Sequence, residues 1–477
     1  MSTQESERPI RAMKWGNALE RTLRSKDGRR VTELLEGKMN GTPTPATVYT
    51  KQERIAELAR QMPDKVLTSL AYRIDVEWLK EAYVRTRKDG AEGVDGKTAE
   101  EYAVNLDANL ASLLTRVKTA SYRAPPVKRV HIPKDGGTRP IGIPTFEDKV
   151  LQRAFAMVLE PVYEQEFLDC SYGFRPGRSA HQALSAFYDQ MTAMGGGWVL
   201  ELDIKSFFDT LDHGQLRQII EQRVRDGLVL RHIGKWLHAG VLEGHQLRHP
   251  EMGTPQGGVI SPLLANIYLH EVLDVWFERE VKRRLKGRAF LIRYADDAVL
   301  GFSLEEDARR VLEVLPKRFA KYGLTLHPEK TCLVRFAPKR DDNDDDPGTF
   351  DFLGFTHYWG KSRKGKPIIK RKTASKRLKR SLVRISEWCR GHRHDPMKTQ
   401  HKALTQKMHG HYGYFGLTGN HRWLATFHHA VERIWQRWLS RRSQRAQIKW
   451  ERFKQLLRLF PLPPPRVVHS IYRVANP

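Results

Sequence analysis

The sequence predicts an α+β fold, because its hydrophobic pattern changes character twice along the chain. Between residues 51 and 117, apolar residues recur at the three- and four-residue spacing of amphipathic helices. From residue 127 to about 355, short β-rich runs such as 199–203 and 290–293 alternate with helical stretches. Helical spacing then returns in the last third of the chain. The apolar face of one helix there consists of Leu378, Leu382, Ile385 and Cys389.

The charge of the chain points to a polyanionic partner. Its 477 residues contain 82 Lys and Arg against 55 Asp and Glu, a net charge of +27. The excess is concentrated, since residues 361–449 hold 24 basic residues and only three acidic ones. A surface of this kind attracts nucleic acid, because each neutralised phosphate releases condensed counterions. We therefore predict nucleic-acid binding.

Cysteine content and hydropathy bear on the compartment. Cys170, Cys332 and Cys389 are far apart, and no Cys-x-x-Cys pair occurs. We therefore expect neither a disulfide framework nor a cysteine zinc module, and a reducing cytoplasm is the expected location. No stretch approaches the roughly 20 apolar residues of a membrane-spanning helix, and no signal peptide is recognisable, so no membrane partner is expected.

Two acidic segments carry the predicted chemistry. In the first, an apolar run that starts at Trp198 leads into Asp203, where the strand should end. In the second, Tyr-Ala-Asp-Asp at 294–297 separates two apolar strands, the pattern of a tight β-hairpin with two carboxylates at its turn. The alternative is an ordinary exposed turn. Carboxylates that are brought together repel one another unless a cation joins them, and Mg²⁺ prefers carboxylate oxygens. A third carboxylate on an adjacent strand would allow two metal ions about 3.5–4 Å apart.

These segments resemble the motifs of reverse transcriptases encoded by group II introns, the maturase type. The likeness runs from about residue 51 to 419 and includes Gly-Thr-Pro-Gln-Gly-Gly at 253–258, between the two acidic segments. It implies a right-hand polymerase of fingers, palm and thumb, with an antiparallel palm sheet and a helical C-terminal thumb. The implied segments are a weakly ordered basic arm (1–50), an N-terminal extension and fingers (51–197), the palm with finger insertions and primer grip (198–360), the thumb or maturase domain X (361–455) and a Pro-rich tail (456–477).

The resemblance also implies a metal site and a nucleotide pocket. Asp203 and Asp296 would be the principal ligands of two Mg²⁺ ions, with Asp297 and the backbone carbonyl of Ile204 in support, and Mn²⁺ as a substitute. Phe208 matches an aromatic gate that excludes the 2′-hydroxyl of a ribonucleotide, and its alternative is a core position. The other nucleotide-binding residues would be Lys134, Arg139, Gln256 and Lys330.

Contacts with the primer and with RNA follow from the same resemblance. The hydrophobic turn formed by Phe352, Leu353, Gly354 and Phe355 matches the primer grip. RNA-binding side chains would include the basic residues Arg175, Arg178, Lys376, Arg377 and Arg380, and the aromatic residues Tyr412 and Tyr414. Because aromatic residues also build helical cores, the alternative for the two tyrosines is the interior of the thumb.

We therefore predict an enzyme that copies RNA into DNA by two-metal phosphoryl transfer. Its partners would be an RNA template, a DNA primer, deoxynucleoside triphosphates and the intron RNA, whose splicing it would aid. The alternatives are a splicing cofactor that only binds RNA, and a domesticated host reverse transcriptase in defence or repair. The chain ends at Pro477 without the paired cysteines of an HNH-type endonuclease, so we expect no endonuclease activity of its own.

Overall fold

A computed structural model gives the fold of most of the chain. The residues that it describes are 47–134, 137–244, 246–248, 252–254, 257–339, 347–443 and 447–470. The predicted basic arm of residues 1–50 therefore lies almost entirely outside the described residues. Its last residues belong to the first helix, which begins at Val48 after the N-cap Thr47.

Helices dominate both ends of the described chain and strands its middle, so the predicted α+β class is confirmed. The helices are α1 (Val48–Gln61), α2 (Val76–Arg85), α3 (Ala99–Ala103), α4 (Leu106–Lys118), α5 (Phe146–Tyr163), α6 (Ala180–Met194), α7 (Phe207–Thr210), α8 (His213–Glu221), α9 (Gly227–Leu237), α10 (Ser261–Leu269), α11 (Glu305–Lys321), α12 (Ser375–Gly391), α13 (Met397–Phe415), α14 (His421–Leu439) and α15 (Trp450–Leu459). The strands are β1 (Val127–Lys134), β2 (Gly137–Ile143), β3 (Gly197–Leu202), β4 (Val241–Glu243), β5 (Gln246–Arg248), β6 (Ala289–Tyr294), β7 (Asp297–Phe302), β8 (Cys332–Phe336), β9 (Phe350–Phe352), β10 (Phe355–Lys361) and β11 (Pro367–Thr373).

The N-terminal helices pack around α5, which is almost entirely buried. Side-chain caps determine where these helices begin: Asp75 accepts the backbone N–H of Trp78, and Thr98 and Glu101 form a reciprocal capping box. The Trp78 indole donates to the carbonyl of Ala154 at 2.9 Å and so joins α2 to α5. These helices form a core, here called the N-terminal core, against one face of the central sheet.

A small sheet precedes α5 and is completed later in the chain. β1 and β2 form an antiparallel hairpin in which Lys134 pairs with Gly137. β4 pairs in parallel with β1, and β5 pairs antiparallel with β4, which gives the order β2-β1-β4-β5. The turn residues 135–136 of this hairpin lie outside the described residues.

The central sheet has the strand order β6-β7-β3-β8, and each neighbouring pair is antiparallel. Because side chains alternate between the two faces of a strand, Leu200 and Leu300 join the N-terminal core. Val199 and Val299 point the other way, into a second core that includes the C-terminal helices and is here called the C-terminal core. Both faces of the sheet are therefore covered, so a functional site on this sheet would have to lie at the ends of its strands.

The C-terminal region consists of the antiparallel sheet β9-β10-β11 and the helices α12 to α15. On α12, Leu378, Ile385 and Cys389 are buried as predicted. Helix α15 crosses the predicted domain boundary at residue 455, so the extended tail begins only after Leu459.

The tail is bound to the helices rather than free. The carbonyl of Pro461 contacts the His401 imidazole at 2.9 Å, and the carbonyl of Pro463 accepts a hydrogen bond from Tyr412 at 3.2 Å. The backbone N–H of Val468 donates to the carbonyl of Gly416 at 2.7 Å. Residues 461–468 of the tail are thus packed against the C-terminal helices.

The described residues also bear on the predicted environment. None of their helices combines the length and the apolar character needed to cross a membrane. Cys170 and Cys389 are buried free thiols, and Cys332 is an exposed one.

Candidate active site

The β6–β7 hairpin forms the centre of the candidate site. Tyr294 pairs with Asp297, which leaves Ala295 and Asp296 as the two turn residues, so the predicted hairpin is confirmed. Ala295 has a φ of 58°, a conformation that costs free energy for a residue with a Cβ atom. The surrounding structure must therefore hold this turn in place.

Asp203 lies next to the turn, because β3 ends at Leu202, which pairs with Ala298 of β7. Protein packed around the carboxyl group of Asp297 raises its pKa to about 6, and the negative charges of Asp296 and Asp203 act in the same direction. The three aspartates that the sequence predicts are therefore electrostatic neighbours at one end of the central sheet.

These carboxylates do not form a single closed cluster. Within the described part of the chain, the one group of three metal-binding side chains whose ligand atoms all lie within 4.8 Å of one another is His428, His429 and Glu432. The aspartates are thus spread more widely than a shared single ion would require. Two ions about 3.5–4 Å apart, each about 2.0–2.1 Å from its oxygen ligands, span a wider set of carboxylates.

Lys330 contacts Asp203 directly. The backbone N–H of Lys205 donates to the carbonyl of Thr325 at 2.8 Å, and that of His327 donates to the carbonyl of Asp203 at 2.8 Å. These bonds fix the segment before Lys330 against the end of β3. Lys330 Nζ then lies 2.6 Å from Asp203 Oδ2, and its side chain is 56% exposed. A pair this exposed adds little stability.

Two arginines approach the aspartates from different parts of the chain. Arg377, in the first turn of α12, and Arg139, on β2, are both exposed. Their positive charges act to lower the pKa of Asp297, although desolvation of its carboxyl group and the neighbouring carboxylates outweigh them. The side chain of Lys134 lies outside the described residues, so its predicted nucleotide contact stays a prediction.

Phe208 lies partly exposed in α7, with its ring in edge contact with Phe207 at a centroid distance of 5.3 Å. Its carbonyl accepts the backbone N–H of Thr254 at 2.7 Å. A Cβ atom at Gly253, where φ is +89°, would meet the Phe208 carbonyl oxygen at 2.8 Å, so glycine is needed for this close approach. Gln256 lies outside the described residues, and its predicted contact is untested.

A chain of buried hydrogen bonds supports the backbone at Val259, just after the glycine-rich segment 253–258. The backbone N–H of Val259 donates to Gln152 Oε1 at 2.7 Å, and Gln152 Nε2 donates to Asp148 at 2.9 Å. Asp148 also accepts hydrogen bonds from Tyr122 at 2.6 Å and from Trp236 at 2.7 Å. Burial raises the pKa of Asp148 to about 6, although these hydrogen bonds oppose the rise. Sequence reasoning missed this chain of hydrogen bonds, and an acid within the apolar helix α5 was its only signal.

The turn predicted as the primer grip is a tight hairpin. Phe352 pairs with Phe355, and the two residues between them, Leu353 and Gly354, have φ of 49° and 81°. Positive φ at both central positions is typical of a type I′ hairpin. Tyr414 donates to the carbonyl of Leu353 at 2.8 Å and so holds the turn against α13. The hydrophobic turn is confirmed, and its contact with a primer stays a prediction.

Arg175 is not available to RNA, which corrects its prediction. The residue is only 4% exposed, and its Nε and Nη2 atoms bind the Glu164 carboxylate at 3.0–3.2 Å. Its Nη1 donates to the carbonyls of Leu168 and Ser171 at 2.8 and 2.9 Å. A guanidinium with these partners joins segments of the fold, because its withdrawal would leave the partly buried Glu164 carboxylate and two carbonyls without their donor.

The prediction of RNA contact is wrong for Tyr412, whereas Tyr414 is partly exposed and its RNA contact stays a prediction. Tyr412 is 2% exposed and bonds to the tail, so its alternative as a core residue is the right one. Tyr414 stacks on Phe355 at a centroid distance of 5.9 Å and uses its hydroxyl on the hairpin turn. Four basic residues keep exposed or partly exposed side chains, and for them RNA contact stays a prediction: Arg178, Lys376, Arg377 and Arg380.

Sequence reasoning also missed a charged pair directly behind the β6–β7 turn. Arg293, in β6, and Asp274, in the helical segment after α10, are both completely buried and bind one another. Gly173 packs against the same turn so closely that a Cβ atom there would overlap the backbone of Ala295. The available signal was a charged residue within an otherwise apolar strand, since such a charge needs a specific partner.

Comparisons with known proteins are consistent with this arrangement. Residues 132–357 match the family described as reverse transcriptase (RNA-dependent DNA polymerase). The chain is 37% identical over 306 residues to the group II intron-encoded protein LtrA of Lactococcus lactis, a match that covers 61% of this chain and 50% of LtrA. It is 34% identical over 307 residues to the protein YkfC of Escherichia coli K12, covering 54% of this chain and 81% of YkfC. Nuclear intron maturase 2 of Arabidopsis thaliana is 28% identical over 177 residues, which are 29% of this chain and 24% of that protein. The chain thus spans about half the length of LtrA.

Proposed function

This chain belongs to the reverse transcriptases of the group II intron-encoded type, and on that premise we propose that it copies RNA into DNA by extending a primer with deoxynucleotides. The observation that carries the proposal is the convergence of Asp203 with Asp296 and Asp297 at one end of an antiparallel sheet. Acidic groups from separate strands that meet in this way suit metal-assisted phosphoryl transfer.

The proposal assigns one region of the fold to each of the three parts of a right-hand polymerase. In this proposal the central sheet is the palm, the sheet β2-β1-β4-β5 belongs to the fingers, and α12 to α15 with their tail form the thumb. The proposal is supported by Arg139 and Arg377, which carry charge toward Asp297 from the fingers side and the thumb side. A primer and template would then lie between these two regions.

The carboxylates fit Mg²⁺, which prefers hard oxygen ligands. Desolvation of its carboxyl group raises the pKa of Asp297, and the negative charges of Asp296 and Asp203, which a divalent cation would offset, add to the rise. Asp203 and Asp296 would be the principal ligands, with Asp297 and the Ile204 carbonyl in support, and Mn²⁺ would bind the same oxygens. When bound, two such ions supply positive charge at the attacking and leaving oxygens.

The chain's own side chains would bind and orient the nucleotide. Arg139 would bind the triphosphate in bidentate fashion, with Lys134 as a second cation. Gln256 would lie near the templating base. Lys330, 2.6 Å from Asp203, would be within reach of the departing pyrophosphate and could deliver a proton to it.

Primer extension on an RNA template tests this proposal. We expect the native full-length chain to extend a DNA primer with deoxynucleotides, and Asp296→Ala to abolish extension while RNA affinity is retained. The matched control is Asp64→Ala, at an exposed aspartate after α1, which should extend at the native rate. Near-normal cDNA synthesis by Asp296→Ala would refute the assignment.

The choice of sugar tests the polymerase type. In the proposal, the ring of Phe208 occupies the position that a 2′-hydroxyl would need. Phe208→Ala should therefore incorporate ribonucleotides more readily than the native chain, with deoxynucleotide incorporation affected less. Phe207→Leu, at the buried neighbouring ring, serves as the control for altered packing. Equal discrimination by Phe208→Ala and the native chain would rule out the gate.

A second function, intron RNA binding in support of splicing, is favoured by the basic α12 surface. Lys376 and Arg377 are exposed there and Arg380 is partly exposed. Two of the relatives above are named as intron-encoded or as a maturase. Reversing the charge of these three residues should depress splicing of the cognate intron RNA at low Mg²⁺, and an unchanged splicing rate would count against this function.

A further inference from the structure

Arg293 is a completely buried cation at the turn end of β6, an edge strand of the central sheet. It lies in β6 between Ile292 and Tyr294, and its side chain is 0% exposed. Transfer of a charge into such an interior is costly unless the charge is paired and fully hydrogen-bonded. The partners of this residue therefore show what the buried charge achieves.

The counter-charge comes from a different part of the chain. Arg293 Nε lies 2.7 Å from Asp274 Oδ1, and Nη2 lies 2.6 Å from Asp274 Oδ2, a bidentate ion pair. Asp274 belongs to a π-helical segment, His270–Val275, which continues α10 toward β6. Burial alone would raise the pKa of Asp274, but the charge and hydrogen bonds of Arg293 outweigh it and lower that pKa.

The remaining donors of the guanidinium reach three further segments. Nη1 donates to Asn266 Oδ1 at 2.9 Å and to the carbonyl of Ala295 at 3.0 Å, and Nη2 donates to Ser171 Oγ at 2.8 Å. With the two bonds to Asp274, all five N–H groups of the guanidinium have an acceptor. A lysine would offer a point charge with three donors and could not reproduce this arrangement.

One of these acceptors belongs to the turn that carries the aspartates. Ala295 has the positive φ noted above, and Asp296 and Asp297 follow it immediately. Asn266, which accepts from Arg293, also donates to the carbonyl of Gly173 at 2.7 Å, the glycine that packs against the same turn. The strained turn is therefore held from behind by hydrogen bonds and close packing together.

We propose that Arg293, held by Asp274, is a positioning residue for polymerisation: through the Ala295 carbonyl it fixes Asp296 and Asp297 in the geometry that binds divalent cations. The inference rests on the proposed function and adds to it the device that keeps the metal ligands in place. The charge of Asp296 also interacts with the guanidinium, so the same group offsets part of the negative charge of the site. A positioning role predicts effects on metal dependence, whereas a purely structural ion pair predicts effects on stability alone.

The test uses the full chain and three variants, with primer extension over a range of Mg²⁺ concentrations, thermal unfolding and RNA affinity as readouts. Arg293→Lys retains the charge and loses the fork of donors. The double variant Arg293→Met with Asp274→Leu removes both charges together, which avoids the strongly destabilising case of one buried charge left without its partner. Arg223→Lys is the matched control, because Arg223 is another buried arginine paired with a glutamate, Glu166, and it bonds to carbonyls remote from the turn.

We expect Arg293→Lys and the double variant to lose turnover on the order of 10- to 100-fold, as for ligands misplaced by about 1 Å, and to need more Mg²⁺ for half-maximal extension. The double variant should keep a near-native Tm and RNA affinity, and Arg223→Lys should keep the native Mg²⁺ dependence. A folded double variant with native turnover and native Mg²⁺ dependence would overturn the inference alone. A native chain that extends no primer would overturn the proposed function, and this inference with it.

Discussion

Lys330 Nζ lies 2.6 Å from Asp203 Oδ2 at the end of β3. The contact joins two residues that are 127 positions apart in the sequence, and the pairing of Ile204 with Leu326 brings them together. The ammonium group thus occupies one oxygen of a proposed metal ligand. Lys330 and a divalent cation should therefore compete for Asp203, and this competition makes the role of the lysine measurable.

Replacement of Lys330 by methionine should have two opposite effects. The apparent affinity for Mg²⁺ should rise, because Asp203 loses a competing cation. Turnover should fall by about 10-fold or more, because a proton donor for the leaving pyrophosphate is lost. Mg²⁺ titrations of primer extension measure both, with Lys317→Met on the exposed face of α11 as the control. A variant that changes neither quantity would leave the lysine without a role in the reaction.

Gly173→Ala should impair the reaction without reducing RNA affinity. A Cβ atom at residue 173 would lie 2.8 Å from the carbonyl carbon of Tyr294 and would overlap Ala295, so the turn must shift. We expect turnover to fall by at least about 10-fold, the scale that follows from displaced ligands. Gly234→Ala is the matched control, since a Cβ atom there meets nothing within 4 Å inside α9. That control should instead stabilise the chain by about 0.5–1 kcal/mol. Native turnover in Gly173→Ala would show that the turn tolerates the shift.

Much of this site could be predicted because its signals are local. An apolar run before Asp203 and a pair of acids between two apolar runs are sufficient to predict a strand end and a hairpin. The partners of Arg293 could not be predicted in this way. Asp274, Asn266 and Ser171 come from separate segments, and only the packing of α10 and its π-helical continuation against β6 brings them to one guanidinium.

The stability of the chain should depend on the ionisation of Asp148. Its pKa is raised to about 6 in the fold, against an ordinary value of about 3.9. The folded chain therefore keeps a proton that the unfolded chain releases. The contribution of this group to the free energy of unfolding is complete below pH about 4 and is lost as the pH rises through about 6.

The Asp148→Asn variant has no carboxyl group at this position, so its free energy of unfolding should not show this loss as the pH rises. The free energy of unfolding of the native chain should therefore fall relative to that of the variant between pH 4 and pH 7, by on the order of 3 kcal/mol. Urea denaturation at several pH values measures the difference. Two curves that stay parallel across this range would mean that Asp148 is already ionised at pH 4.

The basic surface of α12 should account for a defined part of the salt dependence of RNA binding. Neutralising Lys376, Arg377 and Arg380 with glutamine should weaken binding and reduce the slope of log affinity against log salt by about 1 for each phosphate that the variant no longer neutralises.

Tyr412→Phe should leave RNA affinity unchanged and cost about 1 kcal/mol of stability, because it loses only the hydrogen bond to Pro463. A loss of RNA affinity with unchanged stability would instead support Tyr412 as an RNA-binding residue.

Tyr412 and Arg175 show why the RNA-binding residues were harder to predict than the aspartates. The RNA-binding prediction for both residues came from residue type and motif, which do not show which segments of the chain pack over them. Tyr412 is covered by a tail 51 residues further along, and Arg175 is neutralised by Glu164 at the end of α5. Whether a side chain is exposed depends on contacts with residues far away in the sequence, so a local sequence pattern cannot determine it.

Direct titration with Mn²⁺, followed by its paramagnetic signal, tests most directly whether the aspartates bind divalent cations. The measurement is made in a His429→Ala background, so that the cluster of His428, His429 and Glu432 does not add a competing site. We predict bound Mn²⁺ that Mg²⁺ displaces and that is lost when Asp203 and Asp296 are both changed to asparagine. Unchanged Mn²⁺ binding in that variant would contradict a shared metal site at the end of the central sheet.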